Sequence, residues 1–448
     1  MKAIVSKISK EKNVHSLTQQ IITSGIGFIS FVILAKYLDK NNFGMWLLYI
    51  TGCSFVDMLR NGLTQTAVVR FLSGASAENQ KKIIGSNWLI NLIIAVSLSV
   101  IVFVTYRIFN NSISNSGYLF FFKFYPIYVL LNLPSINSQS ILQAKQRFDL
   151  ILFIKSFELG LFLMFILSSL FFFKFNVAEL ITGQLIIMGT SSLICMILGW
   201  DGIKYFTKAN RETNRMILNF GKYSTGTLIG TNLLRSADTF IIGLSSILGP
   251  SAVALYGIPL KMIEVIEVPL RSFSATLFPR LSKNSIDNNK QEFKKLFYTY
   301  SGALTFLIIP LVIIGFIFAE DFMLLIGGKE YAGSTIIFRV FMIYGLMLPL
   351  DRFIGISLDS LNKPKLNFYK ILFMMTANII GDLIAVFVFE SLLVVAIITI
   401  VFSILGLFVG FYYLNREITI DKHKFISEGI RFYFEFFNKI KRISKSNN

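Results

Sequence analysis

Apolar positions along this chain come in runs of about 20 residues, parted by short polar gaps, and the runs recur about twelve times. A helix rises about 1.5 Å per residue and a bilayer core is about 30 Å thick, so each run predicts one membrane-spanning helix. Six spans fall at 16–38, 43–62, 84–107, 117–139, 148–173 and 178–200, and six more at 221–248, 251–276, 298–319, 334–357, 366–389 and 391–414. The predicted fold class is an all-α polytopic membrane protein of about 12 transmembrane helices. The longest polar gap sets its layout: an amino-terminal six-helix lobe over 1–200, a cytoplasmic linker over 201–222, a carboxy-terminal six-helix lobe over 221–414 and a basic amphipathic cytoplasmic tail over 415–448.

Charge orients these spans. Lys and Arg number 29 in the two tails and the even-numbered gaps, against four on the other side, Lys40, Arg107, Lys174 and Lys329. By the positive-inside rule both termini face the cytoplasm. The net charge of +18 is therefore mainly a topology signal. A nucleic-acid site would need those bases gathered on one folded face, and they are scattered among apolar runs. At 54% hydrophobic residues, 46 Phe and only 15% charged residues, the chain has more apolar surface than a soluble protein needs. The polar amino terminus lacks the pattern of a cleavable signal peptide. Cys53 and Cys195 fall within spans and read as buried apolar residues rather than a disulfide or metal site.

Six spans per lobe give both lobes the same orientation, so an internal repeat would relate them about an axis along the membrane normal. An offset of 210 pairs Leu38 with Leu248, Trp46 with Tyr256, Asp57 with Glu267 and Arg70 with Arg280. Transporters are often built from such repeats, with the substrate path between them.

Local motifs carry a family resemblance along nearly the whole chain. Leu38-Asp39-Lys40-Asn41-Asn42-Phe43-Gly44 resembles the L-G-x-x-x-F-G turn of the polysaccharide transporter family in the multidrug/oligosaccharidyl-lipid/polysaccharide exporter (MOP) superfamily, with Asp39 departing from the usual Gly. Asn61-Gly62 followed by Arg70-Phe71-Leu72-Ser73 is similar to that family. So are Ala237-Asp238-Thr239-Phe240-Ile241-Ile242-Gly243, Leu248-Gly249 to Tyr256, and Phe278-Pro279-Arg280-Leu281-Ser282. The kind most resembled is a Wzx-type O-antigen flippase. The resemblance implies a MOP-type fold in the bacterial inner membrane. It implies movement of an undecaprenyl-pyrophosphate-linked oligosaccharide, such as an O-antigen repeat unit of lipopolysaccharide, to the outer leaflet by alternating access. The partners it implies are that lipid-linked sugar, H+ or Na+, membrane lipids and a polysaccharide polymerase complex, with no nucleic acid. The alternative is an ion-coupled multidrug exporter of the same superfamily.

Ionisable groups within spans mark where the chemistry lies, because each costs about 3 kcal/mol to insert. They include Asp57, Arg60, Lys123, Glu158, Arg235, Asp238, Lys261, Glu264, Glu267, Arg271, Arg339, Asp351, Arg352 and Asp382. Arg60, Arg271, Asp351 and Arg352 lie near enough to span ends to snorkel, and Asp57 and Arg60 are spaced to pair. Spans seven and eight differ: Asp238 and Lys261 each lie ten residues from the outer end of their span, and Arg235 and Glu264 each thirteen. Four such groups unpaired in lipid would cost on the order of 12 kcal/mol, so they pair or face water. Two readings stay open. Either the pairs lock the two helices, or Arg235 and Lys261 line a cationic cavity for the pyrophosphate while Asp238 or Glu264 exchanges partners or protons. Lys123, Arg339 and Arg271 would extend the cationic path or snorkel, and Asp57 and Glu267 join Asp238 and Glu264 as candidates for coupling or gating. The offset places Gly25, Phe28, Thr51 and Ser54 at the corresponding positions of the first lobe, so this charge layer belongs to the second.

The tail interleaves bases with Phe425, Ile426, Ile430, Phe432, Tyr433, Phe434, Phe436, Phe437 and Ile440. That pattern suits a helix lying on an anionic leaflet, or one that binds a partner. No G-x-x-x-x-G-K-[ST] loop appears, so coupling would be to an ion gradient or the membrane potential. No catalytic or metal-binding constellation appears either, with histidine only at His15 and His423, and neither an enzyme nor a cofactor is expected.

Overall fold

The computed structural model describes residues 12–72, 75–171, 174–421 and 424–434. Among them every regular element is helical. The helices of eleven or more residues include α1 (Lys12–Tyr37), α2 (Lys40–Leu72), α3 (Ala77–Ile108), α4 (Leu119–Leu131), α5 (Leu133–Ala144), α6 (Phe148–Phe171), α7 (Val177–Ile197), α8 (Arg211–Leu244), α9 (Gly249–Ile286), α10 (Lys290–Ile317), α11 (Thr335–Gly345), α12 (Leu348–Ser360), α13 (Pro364–Phe387) and α14 (Leu392–Ile418). Residues 424–434 form a further helix.

Six of these helices are long and apolar enough to cross a membrane, or eight if each of two bent pairs is one span. The bent pairs are α4 with α5, at 52°, and residues 329–345 with α12, at 40°. Pro134 and Pro349 each sit in the first turn after the break, where a missing N–H costs no helical bond. The remaining long helices, α1, α2, α8 and α9, have 26, 33, 34 and 38 residues. The polar residues of α2, α8 and α9 make them poor company for lipid, whereas Ile22–Tyr37 of α1 is apolar. All four correspond to the first two spans of each sequence-predicted group of six.

The chain divides into two compact units, 1–254 and 255–448. This boundary falls beyond the 201–222 gap because α8 packs along α2 in the first unit. In that unit α2 also contacts α3, α4 and α5, while α1 lies on α6 and α7 contacts α5 and α6. The indole of Trp88 donates to the Asp201 carbonyl at 2.7 Å, seating the short turn Ile203–Lys208 on α3. In the second unit α14 contacts α11, α12 and α13. Both units expose large apolar side chains on one helix face, among them Ile93, Val100 and Val104 on α3 and Ile397, Val401, Leu405 and Phe408 on α14. Such stripes are stable in hydrocarbon and a liability in water.

Gly62 and Gly221 set the α2–α8 approach. A Cβ on Gly221 would lie 1.9 Å from the Leu63 carbonyl oxygen, and one on Gly62 would lie 2.9 Å from the Thr225 Cα. Backbone cannot yield as a flexible side chain can, and small residues are what permit such close helix crossings in membranes. Gly221→Val should cost about 3 kcal/mol or more, the upper range for overpacking. Fluorescence-detected size-exclusion chromatography should show a several-fold loss of monodisperse protein, while Gly160→Ala, where a Cβ meets nothing within 4 Å, should elute as wild type.

The tail helix, expected to lie on a leaflet or bind a partner, docks on its own chain. Phe425 packs edge-on against Phe297, Tyr298 and Phe411, and the Tyr433 hydroxyl donates to the Ala303 carbonyl at 2.7 Å. Gly429 meets Gly302 so closely that a Cβ on Gly302 would lie 2.3 Å from the Phe425 oxygen. Ile426, Ile430 and Phe434, spaced four apart, remain exposed on the outer face. Lys2, Lys7 and Lys10, and Phe436, Phe437 and Ile440 of the tail, lie outside the described residues.

Candidate functional site

The α4–α5 break builds a buried ionic site in the first unit. The α4 ladder ends at this break, so its last carbonyls need other donors. Arg60 of α2, fully buried, donates through Nη1 to the Val129 carbonyl at 3.2 Å and through Nη2 to Asp57 Oδ1 at 2.9 Å. The break also turns Tyr128 and Asn132 towards Asp57: the phenol donates to Oδ2 at 2.8 Å and the Asn132 amide at 3.5 Å. One carboxylate is thus held by a guanidinium, a phenol and an amide.

A polar ladder continues from this pair. Thr64 Oγ1 lies 3.2 Å from the Arg60 carbonyl and 3.0 Å from Asn91 Oδ1. The Asn91 and Asn87 amides both donate to Asn137 Oδ1, at 2.8 and 2.9 Å. On the far side of α5, Ser135 and Ser191 hydroxyls donate to Glu158 Oε1 at 2.9 Å each, and Lys155 lies 3.4 Å from the other oxygen. These groups tie α2, α3, α4, α5, α6 and α7 together. In hydrocarbon such contacts hold helices where the hydrophobic effect does not. Arg60 Nε and Asn137 Nδ2 have no hydrogen-bond partner among the described residues.

The second unit carries a more open set. Lys261 and Glu264 pair along α9 at 2.7 Å, with side chains 33% and 42% exposed. One turn on, Arg271 meets Glu267 at 3.2 Å. Pro259 and Pro269 interrupt the hydrogen-bond ladder of the same helix. Away from α9, Lys370 is almost wholly buried with its ammonium 2.6 Å from Asp351 Oδ1, and Arg352 Nε lies 3.3 Å from Ser274 Oγ. Asp351 and Arg352, which could have snorkelled, therefore make internal contacts. Asp382, fully buried, accepts from the Asn378 amide at 2.7 Å. These are oxygen donors of the kind that take a proton or a hard cation. Among the described residues no group of three His, Cys, Asp or Glu gathers as a metal site.

The residues predicted from sequence are thus distributed unevenly. Lys261, Glu264, Glu267 and Arg271 share α9, and Asp57 anchors the first-unit core. Asp238 is buried on α8, and the side chain of Arg235 lies outside the described residues. Lys123 is exposed beside the Phe124 ring, on the face that also exposes Ile127 and Leu130. Arg339 lies over the Phe316 ring. Both cations thus sit against aromatic rings at helix surfaces, the geometry of snorkelling side chains. Sequence reading did not single out Lys155 and Lys370, or the uncharged ladder of Asn87, Asn91 and Asn137. The i, i+4 spacing of Asn87 and Asn91, which puts both on one helix face, was the available signal.

Comparison with known proteins decides the family. The profile of the polysaccharide biosynthesis protein family matches residues 33–336, more than half of the chain. The chain belongs to the polysaccharide biosynthesis protein family. One curated relative of this family member is the probable low-salt glycan biosynthesis flippase Agl15 of Haloferax volcanii, 24% identical over 172 residues. That match covers 38% of this chain and 36% of the relative. The lipid II flippase MurJ in an inward closed conformation superposes with a TM-score of 0.73 at 15% identity, covering 94% of this chain and 91% of that one. A multidrug resistance MATE transporter of the MOP superfamily, inward-facing, superposes at 0.68 and 14% identity, covering 90% and 94%. The polysaccharide biosynthesis family member therefore has the MOP-type transporter fold and is a multi-pass membrane protein.

Proposed function

We propose that this protein is a flippase for an undecaprenyl-pyrophosphate-linked oligosaccharide, an O-antigen or related surface-polysaccharide repeat unit. It works by alternating access in a bacterial inner membrane, with both termini cytoplasmic. The observation that carries the reading is the placement of the polar helices α2, α8 and α9 within the first two positions of the two six-span groups. A sugar and a pyrophosphate cross an apolar barrier only along polar surface, and helices too polar for lipid supply it. The glycan flippase relative and the family itself support the same substrate class.

Within that path Lys261 and Arg271 of α9 are the cationic contacts for the pyrophosphate, because guanidinium and ammonium groups bind phosphate oxygens by charge-assisted hydrogen bonds. Asp57, Asp238, Glu264 and Glu267 are the coupling or gating carboxylates, changing partners as a proton or sodium ion moves down its gradient. The two six-span groups are our proposed moving bodies.

A strain lacking this gene should accumulate lipid-linked repeat units on the cytoplasmic side and lose long surface polysaccharide, read by lipid extraction and gel laddering. A normal ladder in a clean deletion, with no second flippase present, removes the reading. Hypersensitivity to cationic drugs with a normal ladder would move the protein to the exporter class.

A further inference from the structure

The second unit contains a groove of about 750 Å3 with no charged residue in its lining. Gly302, Thr305 and Phe306 of α10, Phe408 and Tyr412 of α14, and Ile426 of the tail helix form half of its wall. The Gly302–Gly429 contact fixes the tail helix as one side. Its volume falls in the range of about 300–1,000 Å3 usual for small-ligand sites, and apart from Thr305 and Asn415 its wall is mainly ring and hydrocarbon, so an apolar ligand fits it.

Two observations say which apolar ligand. Phe408 and Tyr412 are 69% and 61% exposed and continue the Ile397, Val401 and Leu405 stripe along one face of α14, so the groove opens sideways onto the lipid-facing surface. One end is cationic. Arg416, a turn beyond Tyr412, holds its guanidinium 5.7 Å from that ring, and Lys294 donates to Thr419 Oγ1 at 2.6 Å, beside the lining residue Ile420. Glu417 is turned to Lys363 at 3.2 Å, and the backbone N–H of Asp421 donates to the Tyr298 hydroxyl. A hydrocarbon slot open to lipid with two cations at one end matches an amphiphile with an anionic head.

We propose that this groove binds a chain of a phosphate-headed membrane lipid, with the phosphate at Arg416 and Lys294. The head and chain chemistry is shared by anionic phospholipids and polyprenyl phosphates. The proposal does not depend on what the protein transports.

The test uses the full chain in nanodiscs containing phosphatidylglycerol that carries a diazirine on one acyl chain. After irradiation, mass-spectrometric mapping should place label on peptides bearing 302–309, 408–415 and 420–426, about fivefold above the exposed α3 stripe, the effect expected of one nearby base. Stronger competition by a polyprenyl phosphate than by unlabelled phosphatidylglycerol assigns the groove to the isoprenoid lipid, and equal competition assigns it to anionic lipids generally. Thr305→Trp, which fills the groove, should remove the enrichment. Should that variant fold poorly, Arg416→Gln should abolish the preference for phosphatidylglycerol over a phosphatidylcholine probe. Labelling no higher than on α3 overturns the proposal, as does equal labelling by the two probes in the wild-type chain. Enrichment that appears only after residues 435–448 are removed also overturns it, by giving the groove to the chain's own end.

Discussion

Arg60→Met should leave little folded protein in the membrane. Arg60 is fully buried and holds both Asp57 and the Val129 carbonyl exposed by the α4–α5 break. Removing it strands a carboxylate with only a phenol and an amide as partners, and breaking a buried pair costs about 3–5 kcal/mol. Typical total stabilities are about 5–15 kcal/mol, so the loss is a large fraction of the whole. Arg60→Lys should rescue poorly, because a single ammonium cannot reproduce a planar fork that reaches two acceptors. Asp57→Asn with Arg60→Gln should recover part of the loss, since no charge is then left unpaired. Detergent-solubilised yield and apparent melting temperature read all three. Wild-type stability for Arg60→Met would show that the pair adds nothing to the first unit.

The fold was largely legible in the apolar runs, because a helix in hydrocarbon must satisfy its own backbone and needs a fixed length to cross. Spans 148–173, 178–200, 366–389 and 391–414 became Phe148–Phe171, Val177–Ile197, Pro364–Phe387 and Leu392–Ile418. The run at 117–139 hid a 52° break because hydrophobicity does not register backbone direction, although Pro134 marked the place. The charge layer was expected only in the second group of spans, whereas the deepest ion pair lies at Asp57 and Arg60. Spacing made that pair readable, but its burial depends on α3, α4 and α5 closing round it, which is tertiary information. Lys370 shows the same limit. It lies near the start of its span, where a long side chain can reach water, yet Asp351 from another helix holds it inside. The tail's aromatic residues were visible, but their seat was set by Gly302 and Gly429, whose meaning appears only when the two helices cross.

Exchanging the two charges on α9 separates folding from transport. Lys261→Glu made together with Glu264→Lys keeps an i, i+3 pair of opposite sign on a partly exposed face. Exposed pairs are worth about 0–1 kcal/mol in either order, so membrane level and melting temperature should match wild type. Export should behave differently if Lys261 meets the pyrophosphate. The exchange moves the cation three residues, about 4.5 Å along the helix axis, and puts a carboxylate in its place. A phosphate contact does not tolerate both changes, because attraction at that position becomes repulsion and the displaced ammonium points at different oxygens. Surface polysaccharide should fall by about tenfold, equivalent to about 1.4 kcal/mol of lost interaction. Lys261→Met alone should fall comparably, and Glu264→Gln less, since it leaves the cation in position. Full export from the exchanged protein would reduce the pair to a tie along one helix and remove Lys261 from the substrate path.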